Sequence, residues 1–299
     1  MNSLNLEQLR TFLAVVRLGG IRKAANGMHI TQPAVTARIK ALEATLAAEL
    51  FDRSSAGMKL TKRGELLLTY AEKFEHLSEM VARDVIHPDG MEGRLRLGVS
   101  ETIAQCWLPE LIARCHRRYP NLEIEFDVDI STNLRASLLG HSLDLAVLLG
   151  PISEQSIDNI PLPGFELTWY VAADAPELDD PADHLTRPVL TYARNTRPYR
   201  ELKDMLFERV GPEVQIFPSS SLSACFRLVE AGLGVAALPK ALGRAFLEAG
   251  TIRSFDPGWA PSPLQFTASY RGEPTSHMVQ TAARLAREVA LDYQAYQKS

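Results

Sequence analysis

Apolar residues recur at helical spacing through the first 90 positions. Over residues 5–18, Leu6, Leu9, Phe12, Leu13 and Val16 fall on one face and predict a helix. Residues 21–43 carry two more. Ile21, Ala24, Ala25 and Met28 space the first, and Val35, Ile39, Leu42 and Leu46 line one stripe of the second. Thr31 can cap that second helix, with Pro33 in its first turn, where a missing N–H costs nothing. These three helices should close around one small core. Residues 53–60 then read as a short polar turn, allowed by Ser54, Ser55 and Gly57. From 61 to about 86 the pattern predicts one long helix whose Leu67, Tyr70, Phe74, Leu77 and Val81 form a coiled-coil-like seam. A lone helix cannot bury such a stripe, so it must meet either a second copy or the body of its own chain. His87-Pro88-Asp89-Gly90 ends the helix and supplies a hinge.

Beyond the hinge the pattern changes to strands alternating with helices. Strands are predicted at 95–99, 123–129 and 144–149, with helices through Leu108, Leu111 and Ile112 and near 134–139. A second set follows, with strands at 167–173, 188–192, 214–218 and 235–238 and helices at 198–208 and 222–231. A strand near 264–270 and a helix near 276–293 should return to the first set. This alternation predicts mostly parallel sheets in two lobes joined by two crossing strands, with a cleft at the strands' carboxyl ends.

A chain of 299 residues holds two or three domains. Its net charge of −4 is unevenly distributed. Residues 1–65 contain ten basic and five acidic groups, a balance of +5, and the remainder carries −9. A basic head on an acidic body is the pattern expected of a protein that grips nucleic acid at one end. No apolar run approaches the roughly 20 residues of a membrane span, and the amino terminus lacks a signal-peptide pattern, so a cytoplasmic protein without membrane contact is expected. Cys106, Cys115 and Cys225 are too few and too scattered for metal sites or a disulfide framework and are expected to be buried small hydrophobes.

The helix beginning after Thr31 has the chemistry of a groove reader. Behind it lies the apolar stripe; in front are small residues with amide, hydroxyl and basic groups at its start. Pro33, Ala34 and Ala37 allow close approach, Gln32 can bond adenine N6 and N7, and Thr36 can reach a base or a thymine methyl. Lys40, Arg53 and Lys59 can touch phosphates, which fix register without reading sequence. Arg22, Lys23, Thr31 and Arg38 complete the expected DNA-facing set.

Residues 24–43, AANGMHITQPAVTARIKALE, resemble the amino-terminal helix-turn-helix of LysR-type transcriptional regulators, Ala-Ala-x-x-Leu-x-x-Ser-Gln-Pro-Ala-Val-Ser-x-x-Ile-x-x-Leu-Glu. Leu50-Phe51-Asp52-Arg53 and Leu60-Thr61-Lys62-Arg63-Gly64 are similar to that family's wing and linker start, with Ala47 standing where glycine is common. The resemblance implies an α/β protein with an N-terminal all-α winged helix-turn-helix over residues 1–60. A long linker and dimerisation helix with a hinge would cover 61–90. A two-lobed α/β effector-binding domain, similar to type-2 periplasmic binding proteins, would cover 91–299, with one lobe at about 91–162 and 270–299 and the other at about 163–269. It further implies that the linker helix pairs antiparallel across a dimer, and that the partners are double-stranded promoter DNA, a small-molecule effector and further copies of the chain in a dimer or tetramer. Residues 143–147 and 229–239 look like landmarks of the effector-binding body. Gly232 and Gly234 do not make a nucleotide loop, and Gly232 reads as a helix C-cap.

Effector candidates cluster where strands end and helices begin: Ser100, Glu101 and Thr102; Thr132 and Asn133; Leu148; Thr196 and Arg197; Ser219 and Ser220. Hydroxyls and helix starts converging on a cleft predict a small carboxylate or comparable anion. Glu101 argues differently, since a carboxylate would repel a bare anion and receive an ammonium. No catalytic or metal-binding motif is present: seven histidines are scattered, and H-E-x-x-H, G-x-S-x-G and paired cysteines are missing. His141 near Asp144 flanks a turn. The expectation is a regulator without enzyme activity, metal or cofactor. The alternative is a cytosolic small-molecule-binding module or enzyme whose amino-terminal helices mediate assembly.

Overall fold

The computed structural model describes residues 4–52, 58–82, 93–273 and 276–298. The chain divides into two compact units, Met1–Ile86 and His87–Ser299.

In the first unit, α1 (Leu6–Leu18), α2 (Ile21–Gly27) and α3 (Gln32–Leu46) enclose a core of Leu9, Phe12, Leu13, Ala24, Ala25, Val35, Ile39 and Leu42. Two of the helix starts find a side-chain acceptor: Asn5 takes the Glu7 N–H at 2.8 Å and Thr31 takes that of Ala34 at 3.4 Å. The predicted α1 face is rotated. Leu6 is exposed and Val16 only half-buried, whereas Thr11 and Val15 are buried. α4 (Lys62–Val81) is a third neighbour of α1 and meets it at Arg10 and Arg17, whereas Thr11 lies toward α3, whose Arg38 donates to its hydroxyl at 3.3 Å. Two short strands, β1 (Phe51–Asp52) and β2 (Lys59–Leu60), pair antiparallel, with the expected turn at 53–57 outside the described residues.

Gly64 lets α4 sit directly on this core, since a Cβ there would lie 2.2 Å from the Leu50 carbonyl oxygen. Leu67, Leu68 and Ala71 turn inward. Arg17 pairs with Glu75 through both oxygens, at 2.6 and 3.2 Å. The opposite stripe, Leu66, Tyr70, Phe74, Leu77 and Val81, is exposed. The expected seam therefore shifts by one residue at its start, with Leu67 half-buried against its own domain and Leu66 in the outer row. The predicted hinge at 87–90 lies outside the described residues.

The second unit holds two five-stranded sheets. One contains β3 (Gly93–Val99), β4 (Leu122–Val128), β5 (Leu145–Leu149), β6 (Ile157–Pro161) and β12 (Phe266–Arg271) in the order β4-β3-β5-β12-β6. The other contains β7 (Leu167–Ala172), β8 (Val189–Tyr192), β9 (Ile216–Ser219), β10 (Val235–Pro239) and β11 (Ile252–Phe255) in the order β11-β7-β10-β8-β9. Neither sheet is mostly parallel. β3 runs parallel to β4 and β5, and β8 to β9 and β10. The remaining pairings, β12 with β5 and β6 and β7 with β10 and β11, are antiparallel. The chain enters and leaves each lobe on a strand without a helical crossover, and such strands have no reason to run parallel. The crossing segments meet where Phe165 and Leu264 exchange backbone hydrogen bonds of 3.0 and 2.9 Å.

Helices α5 (Glu101–Cys106), α6 (Leu108–Arg118), α7 (Ser131–Leu139) and α11 (His277–Lys298) belong to the first lobe, and α8 (Arg197–Arg209), α9 (Leu222–Glu230) and α10 (Lys240–Glu248) to the second. α9 ends as expected, with Gly232 at φ 72° behind it. β6, β11 and α10 were not predicted. The first two are short and carry exposed polar residues, and α10 starts directly after Pro239 without a capping side chain.

Candidate functional sites

The exposed face of α3 gathers most of the expected DNA-facing groups. Thr31, Gln32, Pro33, Ala37 and Lys40 are exposed, and Ala34 and Thr36 half-buried, while the apolar stripe holds the helix from behind. Arg22 and Lys23 are exposed on α2 and Lys59 on β2. Arg53 lies outside the described residues. Arg38 is turned back into the domain: its guanidinium donates to Glu7 and Thr11, both at 3.3 Å, so it braces α3 against α1. The turn between α2 and α3 places His29 at φ 55°, and Ala47 ends α3 at φ 48°. Both are left-handed positions at which a Cβ costs about 1–2 kcal/mol.

In the second unit, the carboxyl ends of β3, β4, β5, β8 and β9 converge on a cleft between the lobes. Ser100, Glu101, Thr102, Thr196, Ser219 and Ser220 line it together, as expected from sequence. Thr132 and Asn133 stand beside it. Thr132 accepts the Asn195 side-chain N–H from the other lobe at 3.2 Å, whereas Asn133 donates to Asp129 in its own lobe at 3.0 Å. Leu148 does not reach the cleft. Side chains alternate along β5, so Leu148 is buried under α7 with Leu134, Leu138 and Ile152, and the next residue, Leu149, lines the cleft. Arg197 is directed elsewhere, donating to the Gly150 carbonyl at 3.3 Å and pairing with Glu201 at 3.6 Å.

Glu101 closes the cleft. From the first lobe its carboxylate accepts the α9 backbone N–H groups of Leu222 at 2.5 Å and Ser223 at 3.0 Å. The Ser223 and Ser221 hydroxyls donate to it at 2.7 and 3.3 Å, and Gln105 at 3.0 Å. The start of α9, where positive partial charge would receive an anion, is thus filled by the chain's own carboxylate. About 50 Å³ of free space remains, room for a few waters and far below the roughly 300 Å³ of a small-molecule site.

Three polar lining residues escaped the sequence reading. Ser131 accepts the Leu149 N–H at 3.0 Å, Asp129 adds a second carboxylate, and Tyr192 is buried with no hydrogen-bond partner for its hydroxyl among the described residues. All three sit at strand ends or one step into a helix, the position that flagged their neighbours. Burial pushes the Tyr192 phenol well up, so it stays protonated. Among the described residues no lysine or arginine lines the cleft.

Burial also raises the thiols of Cys106, Cys115 and Cys225 to about 11, which leaves them protonated and poorly reactive. Asp144 accepts the Arg96 backbone N–H at 2.8 Å, a structural task where β5 begins beside β3. Among the described residues no three metal-ligating side chains gather, and no helix is long and apolar enough to cross a membrane.

The model of the bacterial regulatory helix-turn-helix protein, lysR family, matches residues 6–65, and that of the LysR substrate binding domain matches residues 88–291. The chain belongs to the LysR family. It is a DNA-binding transcriptional regulator with an effector-binding domain. The HTH-type transcriptional regulator GltR of Bacillus subtilis is 30% identical over 84% of this chain and 85% of its own length. YofA of Bacillus velezensis is 32% identical over 80% and 82%. Among solved structures, this LysR-family regulator shares its fold with full-length CbnR in complex with its target DNA. The TM-score is 0.68, at 20% identity, covering 96% of this chain and all of that one. Full-length OxyR from Pseudomonas aeruginosa gives 0.65 at 22% identity, covering 96% and 95%.

Proposed function

We propose that α3 enters the major groove with Gln32 and Thr36 at base edges. Lys40, Lys59, Arg22 and Lys23 hold phosphates, and Arg53 belongs with them. In this reading the head ends near residue 60, the linker near 90, and two copies join through the outer stripe of α4. The effector is a small zwitterion that carries both an ammonium and a carboxylate. The observation that supports this class is the Glu101 bond to the start of α9. A bare carboxylate would meet Glu101 and Asp129 with no lining cation to offset them. A zwitterion can replace both halves of the existing contact. Its ammonium takes Glu101, its carboxylate takes the freed N–H groups of α9, and Tyr192 gains a partner.

Exchange at Glu101 couples occupancy to the angle between the lobes, because the same carboxylate serves either the other lobe or the ligand. An effector shifts an equilibrium only by its differential affinity for the two arrangements, typically about 1–3 kcal/mol. In an oligomer of such bodies that shift changes the spacing of the DNA-reading heads. Calorimetric titration of the full chain with the common amino acids tests the effector class, each hit being followed by its deaminated acid and its decarboxylated amine. Loss of either group should weaken binding at least tenfold. An acid that binds as tightly as its amino acid would refute the proposal.

A further inference from the structure

A cavity of about 660 Å³ in the second unit lies beside the crossing segments and shares no lining residue with the Glu101 cleft. Its size falls within the roughly 300–1,000 Å³ range of small-molecule sites. Walls come from both lobes: α10 and β7 of the second, α11 of the first, and Phe165 on the crossing segment. Trp107, Phe165, Tyr170, Leu247 and Tyr293 give it aromatic and aliphatic surfaces. Tyr170 is fully buried, and its hydroxyl has no hydrogen-bond partner among the described residues. No function derived above uses this space.

Two cations stand at its edge. Lys240 and Arg244 line it on successive turns of α10, against one lining carboxylate, Glu166. Lys240 pairs with Glu166 at 2.8 Å and Arg244 with Glu248 at 2.9 Å, and all four side chains are more than half exposed. Exposed pairs of this kind contribute about 0–1 kcal/mol, so either cation can take another partner at little cost. Arginine presents a planar fork matched to a carboxylate. Apolar walls with a cationic rim select a ligand that is apolar at one end and anionic at the other.

We infer that this cavity is a second small-molecule site, for an amphipathic carboxylate of about one or two rings. Its body lies against Trp107, Phe165 and Leu247, and its carboxylate meets Arg244 and Lys240. Because the walls belong to both lobes, an occupant resists rotation about the crossing segments and sets the lobe angle independently of Glu101.

The test is calorimetric titration of the full-length chain with 1-naphthoate, with 1-naphthylmethylamine as the charge-reversed control. One naphthoate should bind per chain, at least tenfold more tightly than the amine. Lys240→Gln with Arg244→Gln should weaken naphthoate at least tenfold and reduce its preference over the amine. Leu247→Trp, at a partly exposed wall position, should fill the cavity and abolish binding. Circular dichroism matching wild type would establish that both variants are folded. Absence of naphthoate binding, equal binding of the amine, or binding unchanged in folded variants would overturn the inference.

Discussion

Glu101→Gln tests whether one carboxylate holds the lobes together. Glutamine preserves the shape and one acceptor oxygen but removes the charge and the second acceptor. The carboxylate now accepts two backbone N–H groups and two hydroxyls at the start of α9. Hydrogen bonds to a charged group contribute about 1.5–3 kcal/mol each, and an anion at a helix start adds about 0.3–2 kcal/mol. Glu101 is only half-buried, so water competes for it and the lower ends apply. Losing the charge and one or two of these bonds should shift lobe closure by about 2 kcal/mol, close to 30-fold. Spin labels at exposed Asp127→Cys in the first lobe and Asp204→Cys in the second report that distance by pulsed dipolar spectroscopy. Labelled chain is diluted into unlabelled chain. Without ligand, wild type should show one short distance and Glu101→Gln a second, longer population. An unchanged distribution would refute the argument that this contact determines closure.

Three further outcomes follow from other parts of the chain. Phe74→Glu places a charge in the exposed row of α4, so sedimentation should show a smaller assembly than wild type while circular dichroism of the head stays intact; an unchanged assembly would contradict the outer-stripe interface. Ala47→Gly removes a Cβ from a left-handed position and should raise head stability by about 0.5–1 kcal/mol in urea denaturation, after the entropy of the added glycine is counted. His184 is buried against Phe255, and its Nε2 faces the Arg253 guanidinium at 3.3 Å, a donor that requires that nitrogen to accept. Burial, then the neighbouring Arg253, hold its pKa below the ordinary 6.5. The unfolded chain therefore binds more protons below pH 6.5, and the neutral ring's contribution to stability is lost as pH falls toward the folded value. Proton NMR titration should find His184 below 6.5, and His184→Leu should flatten the decline in stability below that pH.

The helical head was legible because each of its helices carries a periodic apolar stripe, and α3 adds a cap at Thr31. The lobes were legible in outline for the same local reason, but their sheet directions were not. Strand direction depends on whether a connection crosses or turns back, and nothing in the residues around β7 or β12 states that. β6 and β11 disappeared because their few apolar residues are interrupted by polar ones, and α10 because it has neither a cap nor a preceding loop. At the cleft, strand ends identified Ser100 and Ser219 and a helix start identified Thr196, whereas Leu148 failed by one residue, the distance that reverses a side chain in a strand. Glu101 could be recognised as an unusual carboxylate. Its partners, 120 to 122 positions away on α9, belong to tertiary structure alone.

The most direct test of the account is the affinity of the Gln32→Ala chain for two duplexes, one carrying a half-site selected from random sequences and one scrambled. Exposed at the start of α3, Gln32 is placed to contact a base edge, so its loss should cost about 1–3 kcal/mol on the selected duplex and leave the scrambled one unchanged. Lys59→Ala, measured alongside, should weaken both alike and reduce the salt dependence by about one ion. Equal losses on both duplexes for Gln32→Ala would contradict the claim that α3 reads sequence.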